Sequence, residues 1–290
     1  VRPRSPDRED FIVRDGIKIA FSVYENDRPT ILLMPTWSII HSRHWKAQVP
    51  YLARHFRVVT FDGRGNGRSD RPGYSGYYTD HEFVADALGV LDATETREAV
   101  LAGVSLGAHW ALLLAGLFPT RAAGVVCIGP TTALANLPHP NRTGVSFEEP
   151  LAQNDGWAMY NSYFWRQRYP DFAEFFFSQV FSETHSTKQR EDAVGWAMET
   201  DPETLITIER ADRFDAEVAT AARQGIRCPI LVIHGTDDHI TPHQAGVTLA
   251  QAVGGELLSI EGSGHLPQAR DPVRVNLAIK EFIDRMVVPA

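Results

Sequence analysis

Cysteine is scarce in this chain of 290 residues: Cys127 and Cys228 are the only two. Each lies in or beside an apolar run, Gly124 to Ile128 and Pro229 to Ile233, so both read as buried free thiols and not as a disulfide framework. The histidines lack the paired spacing with cysteine or carboxylate that a metal site needs, and neither a metal nor an organic cofactor is implied. No apolar run approaches the roughly 20 residues of a membrane helix. The segment Val1 to Asp10 is polar and charged, without the apolar core of a signal peptide, so a cytoplasmic location is the default expectation. Positive charge is also short. The 28 Lys and Arg stand against 36 Asp and Glu, and the net charge of −8 argues against a nucleic-acid surface. Repeats and low-complexity tracts are absent. What is present, 43% hydrophobic and 22% charged residues, suits one large α/β domain or one domain with a sizeable insertion.

The first half alternates strand-like and helix-like patterns. Phe11 to Val13 and Ile17 to Tyr24 flank an Asp15-Gly16 turn and predict a hairpin. Strands are predicted at Thr30 to Met34, Phe56 to Phe61, Ala99 to Val104 and Ala122 to Ile128. Helices are predicted at Trp45 to His55, His81 to Ala93 and Leu106 to about Phe118. From Thr131 to about Arg223 the rhythm breaks into an aromatic, charged region with helical stretches around Pro150 to Tyr169, Asp171 to Phe181, Thr187 to Glu199 and Pro202 to Ala211. The rhythm then resumes with strands at Pro229 to His234 and Glu256 to Ile260, and helices at His243 to Val253 and Arg274 to Met286. Such alternation predicts a mostly parallel sheet covered on both faces. The expected domains are a core of residues 1–130 and 224–290 and a helical cap inserted at 131–223.

The strongest local signal is Gly103-Val104-Ser105-Leu106-Gly107, between a buried strand and an apolar helix. A sharp strand-to-helix turn holds its central residue at an unfavourable angle, and flanking glycines let the two elements close up. Ser105 then projects as a nucleophile beside free helical N–H groups. A serine hydroxyl needs a base in reach. His265 follows the last predicted strand on the loop Glu261 to His265, at the same sheet edge. The base needs an orienting acid, and the loop after Pro229 to His234 carries two candidates, Asp237 and Asp238. Thr241 and Pro242 read as N-cap and first residue of the following helix. His109, one turn past Ser105, is expected to pack.

With these residues in place, the chain resembles the α/β-hydrolase fold family from about Phe11 to Met286. The resemblance implies a mostly parallel central sheet with helices on both faces and an inserted helical cap. It matches Gly103 to Gly107 to the family's nucleophile elbow, Gly264-His265 to its base loop, and Gly235 to Pro242 to its acid loop, selecting Asp238 over Asp237. Asp62 to Ser69 is similar to a mainly structural turn after strand four. The family's His-Gly after strand three is replaced here by Met34-Pro35-Thr36-Trp37. Pro35 has no N–H, and threonine tolerates a left-handed angle poorly. By resemblance, the backbone N–H groups of Trp37 and Leu106 form the oxyanion hole.

Aromatic residues crowd Trp157 to Phe181, and Trp37, His41, Trp157, Tyr160 and Phe164 are the candidate pocket residues. The expected activity is hydrolysis of small-molecule carboxylic esters with an apolar or aromatic part, through an acyl-enzyme on Ser105. Carbon–carbon bond hydrolysis and lactone hydrolysis use the same triad within the family. Ser105 argues against dehalogenase or epoxide-hydrolase chemistry, which places aspartate at the elbow. A different class is a ligand-binding, sensory module with little turnover. The expected partner is a small-molecule substrate, with no nucleic acid and no membrane, for a monomer or homodimer.

Overall fold

A computed structural model describes residues 4–135, 137 and 146–287. Eight strands form one sheet in the order β1-β2-β4-β3-β5-β6-β7-β8. They are β1 (Arg8–Arg14), β2 (Ile17–Tyr24), β3 (Thr30–Leu33), β4 (Arg57–Phe61), β5 (Ala99–Val104), β6 (Ala122–Ile128), β7 (Ile230–Gly235) and β8 (Glu256–Ile260). Only β1 and β2 run antiparallel to their neighbours; β4-β3-β5-β6-β7-β8 is parallel throughout. The central strands β5 and β7 are buried at every position, as strands covered on both faces must be. The β1–β2 hairpin turns through Asp15 (φ 53°) and Gly16 (φ 80°), the positive angles that a two-residue turn requires and that Asp-Gly accepts at little cost.

Helices α1 (Val49–Leu52), α2 (Asp80–Ala93), α3 (Leu106–Leu117) and α8 (His243–Val253) connect strands, and α9 (Pro267–Arg270) and α10 (Pro272–Met286) follow β8. Between β6 and β7 lie α4 (Ser162–Val180), α5 (Thr187–Ala197), α6 (Pro202–Glu209) and α7 (Ala216–Gly225). The predicted strands and core helices agree with this arrangement to within a few residues, except at Trp45 to His55. There a short 3₁₀ turn, Ser42–Trp45, and the single turn α1 replace a full helix. Pro50 has no N–H for a longer ladder, and the Trp45 indole is drawn aside to Met34 O at 2.9 Å.

The aromatic stretch also folds differently from expectation. Asn161 caps α4 by accepting from the N–H groups of Tyr163 (3.0 Å) and Phe164 (3.1 Å), so the helix begins twelve positions after Pro150. It reaches Val180 across a sharp kink at Arg168, whose non-helical angles (φ −143°, ψ 44°) two residues before Pro170 divide it near the break expected between Tyr169 and Asp171. The segments from α4 to α6 touch the loops at the carboxyl ends of the strands. Thr200 Oγ1 donates to Gly65 O at 2.8 Å, after β4, and Val180 O accepts from His265 N at 2.9 Å, after β8. Helix α7 instead packs along α3. Their backbones meet so closely that a Cβ on Gly116 would stand 2.0 Å from Ala222 O.

The turn after β4 is a structural knot. Arg64 is wholly buried and bonds both Asp86 carboxylate oxygens at 2.6 Å. Asp62 accepts from the N–H groups of Ser42 (3.1 Å) and Arg68 (2.9 Å), tying the loop after β3 to the turn after β4.

Candidate active site

Strand β5 delivers Ser105 into α3 with φ 54° and ψ −119°, an angle pair that a residue with a side chain adopts only under local constraint. The constraint is visible. The Ser105 N–H donates to Ile128 O at 2.9 Å, and the Ser105 carbonyl accepts from Thr131 N at 3.3 Å. A Cβ on Gly103 would lie 2.1 Å from Gly107 O, and one on Gly107 would lie 2.2 Å from Pro35 O. The two glycines therefore let strand, helix and the loop after β3 converge on one point. Thr36 is not among the described residues with positive φ, so its lack of glycine's freedom brings no strain. The N–H groups of Trp37 and Leu106 find no protein acceptor among the described residues. Ser105 Oγ lies 3.2 Å from Thr131 Oγ1, which in turn lies 2.7 Å from Thr241 Oγ1.

Asp238 sits after β7, buried. Its Oδ1 accepts from the N–H groups of Ile240 (2.8 Å) and Thr241 (2.9 Å), and its Oδ2 lies 2.7 Å from His265 Nδ1. The same Oδ2 lies 2.9 Å from Nε2 of the fully buried His234. Burial alone would raise the Asp238 carboxyl, but the His265 and His234 rings and their hydrogen bonds outweigh it and hold it well below the usual carboxylate range. An ionised Asp238 fixes a proton on His265 Nδ1 and leaves Nε2 as the basic nitrogen. Asp237 is exposed and faces His239 at 3.2 Å instead. The loop carrying His265 is held by the end of α4 and the chain after it: His265 N donates to Val180 O at 2.9 Å and Gly264 N to Glu183 Oε1 at 2.6 Å. Among the described residues, no hydrogen bond joins Ser105 to His265; the serine hydroxyl is turned to Thr131.

A cavity of about 320 Å³ opens over Ser105. Trp37, Leu106, Phe176, Phe214 and Ile240 supply apolar wall, and Thr131, Thr241, Tyr160, Glu209 and Arg213 supply polar groups. Among the described residues, no group of three or more His, Cys, Asp or Glu side chains is placed to hold a metal ion. Among the described residues, no helix is long and apolar enough to cross a membrane.

The sequence model of the alpha/beta hydrolase fold matches residues 29–272. The chain belongs to the α/β-hydrolase family. It is 29% identical over 242 residues to the 2-hydroxymuconate semialdehyde hydrolase of Pseudomonas sp. (strain CF600), covering 83% of this chain and 81% of that one. It is 27% identical over 280 residues to the non-heme chloroperoxidase CPO-A1 of Kitasatospora aureofaciens, covering 94% and 98%. Among solved structures, a thermophilic esterase from Thermogutta terrifontis superposes with a TM-score of 0.75 at 25% identity, covering 97% of this chain and all of that one. This chain is therefore an enzyme of the hydrolase family.

Of the five expected pocket residues of this α/β-hydrolase, Trp37 and Tyr160 line the cavity and His41, Trp157 and Phe164 do not. His41 is turned to a separate groove, with Nε2 3.2 Å from Glu199 and Nδ1 3.8 Å from Asp62. Trp157 stands behind the wall, edge-on to Phe175 and Phe176. The Phe164 ring lies under the Arg168 guanidinium at 5.6 Å. Thr241 does not cap α8, which begins at His243 with Pro242 as its cap, and its hydroxyl goes to Thr131. Both cysteines are free thiols, Cys127 buried and Cys228 half-buried; burial pushes the Cys228 thiol up to about 11. The polar residues that sequence reading missed are Thr131, Glu209, Arg213 and His234. Only His234 carried a signal, a histidine closing a buried strand four residues before the acid.

Proposed function

We propose that this α/β-hydrolase is a serine hydrolase of small-molecule carboxylic esters with an apolar or aromatic part. Ser105, Asp238 and His265 form the triad, and the described residues of the 131–223 insertion up to the end of α6 form the cap over it. The observation that carries the reading is the 2.7 Å Asp238–His265 hydrogen bond beside a strained Ser105 under an aromatic-lined cavity. The Ser105 hydroxyl rotates from Thr131 toward His265 Nε2, which removes its proton as Oγ attacks the ester carbonyl. The N–H groups of Trp37 and Leu106 receive the oxyanion. His265 returns the proton to the leaving alcohol, which departs to give the acyl-enzyme. Water, deprotonated by His265, then attacks the acyl carbon; the acid leaves and Ser105 Oγ takes the proton back. Asp238 stabilises the charged imidazole at both stages.

A second reading is carbon–carbon bond hydrolysis by the same residues, favoured by the 29% identity to a relative named as a semialdehyde hydrolase. A third, binding without turnover, predicts an inert serine. The test is a fluorophosphonate probe followed by an ester, lactone and ring-cleavage-product panel, on wild type and Ser105→Ala. Labelling and ester turnover that both vanish in Ser105→Ala support the proposal. Well-folded wild type that takes no label overturns it, and a panel in which only carbon–carbon cleavage occurs replaces it with the second reading.

A further inference from the structure

The cavity over Ser105 holds a charged group that the triad chemistry does not use. Arg213 lines it with a side chain only 8% exposed. One guanidinium nitrogen, Nη2, donates to Glu209 Oε1 at 2.9 Å. Among the described residues, Nε and Nη1 donate to nothing. Glu209 is fixed on its other side, where Tyr160 Oη donates to Oε2 at 2.6 Å. The backbone is fixed as well: Phe214 sits at φ 65°, and its N–H donates to the Asp80 carboxylate at 2.7 Å. A guanidinium held this rigidly, with the nitrogens Nε and Nη1 unmatched by protein and open to solvent-accessible space, can take an acceptor brought by a ligand.

The charges around it select the kind of acceptor. Glu209 already offsets the Arg213 charge, and Asp80, bonded to His109, Trp110 and Phe214, adds a second carboxylate nearby. A substrate carboxylate would enter as a further negative group. A neutral carbonyl oxygen accepts from one of the unmatched nitrogens and adds no charge. The cavity has room for roughly ten water-sized groups, enough for a scissile ester and a second carbonyl a few carbons away. We infer that Arg213, held by Glu209 and Tyr160, is a specificity site for a neutral carbonyl remote from the ester group that Ser105 attacks. The inference rests on the ester-hydrolase reading and names its substrate class: keto-esters and related dicarbonyl compounds.

The test compares kcat/KM for 4-nitrophenyl 5-oxohexanoate, 4-nitrophenyl hexanoate and mono-4-nitrophenyl glutarate. For the leaving-group side, it compares 4-oxopentyl with pentyl butanoate. In wild type, the ketone of at least one pair is expected to exceed its alkyl counterpart by roughly tenfold or more, with the carboxylate ester below both. In Arg213→Met the ketone-to-alkyl ratio falls to about one. Because Arg213→Met strands Glu209, Arg213→Lys serves beside it: it keeps the ion pair but loses the planar fork, and the ratio falls there too. Hexanoate turnover with no ketone preference in either pair overturns this proposal and leaves the hydrolase reading intact. A carboxylate preference overturns the neutral-acceptor assignment. Absence of turnover on every ester, with no fluorophosphonate label, overturns both.

Discussion

Two buried histidine–aspartate pairs flank the same elbow helix, and they are wired in opposite ways. Around Asp80, His109 uses both ring nitrogens: Nε2 lies 3.1 Å from Asp80 Oδ2 and Nδ1 lies 3.1 Å from Thr132 Oγ1. Trp110 and the Phe214 N–H fill the rest of that carboxylate, and the Phe214 ring stacks on His109 with 5.1 Å between centroids. Around Asp238, His265 is tied through Nδ1 alone, and no protein group engages Nε2 among the described residues. A histidine paired on both sides is a strut. One paired on a single side, with its other nitrogen open, can move a proton. His44 completes the series, buried with neither nitrogen matched.

The largest test of this contrast replaces each histidine in turn. His265→Ala is expected to lower kcat/KM on an ester by about 10³-fold or more, with thermal stability little changed. His109→Ala is expected to cost roughly 2–4 kcal/mol of stability, since it opens a cavity and strips two hydrogen bonds. Its activity per folded molecule should fall less than about tenfold. Denaturation curves and active-site titration on both variants check this, and a stable but inactive His109→Ala would erase the distinction.

A finer test uses His234, the second imidazole on Asp238. Its N–H withdraws charge from the oxygen that faces His265. In His234→Phe that oxygen loses a donor, the Asp238 carboxyl is held less far below its usual range, and kcat/KM on an ester is expected to fall by roughly tenfold. His234→Gln, which can still donate, should keep most of the wild-type kcat/KM. Equal losses in both variants would mean that His234 acts through packing and not through its N–H.

The smallest effect belongs to His44, which burial pushes down to about 3. Between its ordinary value near 6.5 and 3, the unfolded chain takes up a proton that the native protein refuses. Unfolding is therefore favoured as pH falls, by up to about 1.4 kcal/mol per pH unit. Wild type should lose roughly 2 kcal/mol between pH 7 and pH 5 from this residue, and His44→Leu should show a correspondingly flatter profile in urea titrations. Equal slopes in both would show that His44 is solvated in solution.

What the residue order made legible follows from where each signal comes from. Ser105 and Asp238 each lie just past a wholly buried strand and His265 past the edge strand β8, and the parallel sheet brings all three positions to one edge. Geometry tied to backbone periodicity therefore survived, down to the Asp15-Gly16 turn. Arg213 and Glu209 sit in no such register. Only the angle at which α6 returns to α7 turns them into the cavity. The aromatic stretch was legible in kind but not in person, because a ring behind the wall and a ring in it obey the same hydrophobic pattern. His41 follows β3 at the same edge, but its ring faces Asp62 and Glu199 and not the cavity, a direction that spacing along the chain does not encode.

The grip of the end of α4 and the chain beyond it on the segment around residue 264 joins two parts of the molecule into one. Lifting that end of the helix would break the bonds from His265 N to Val180 and from Gly264 N to Glu183. The imidazole paired with Asp238 would lose its mooring in the same movement, so the helix end and the histidine loop can only shift together.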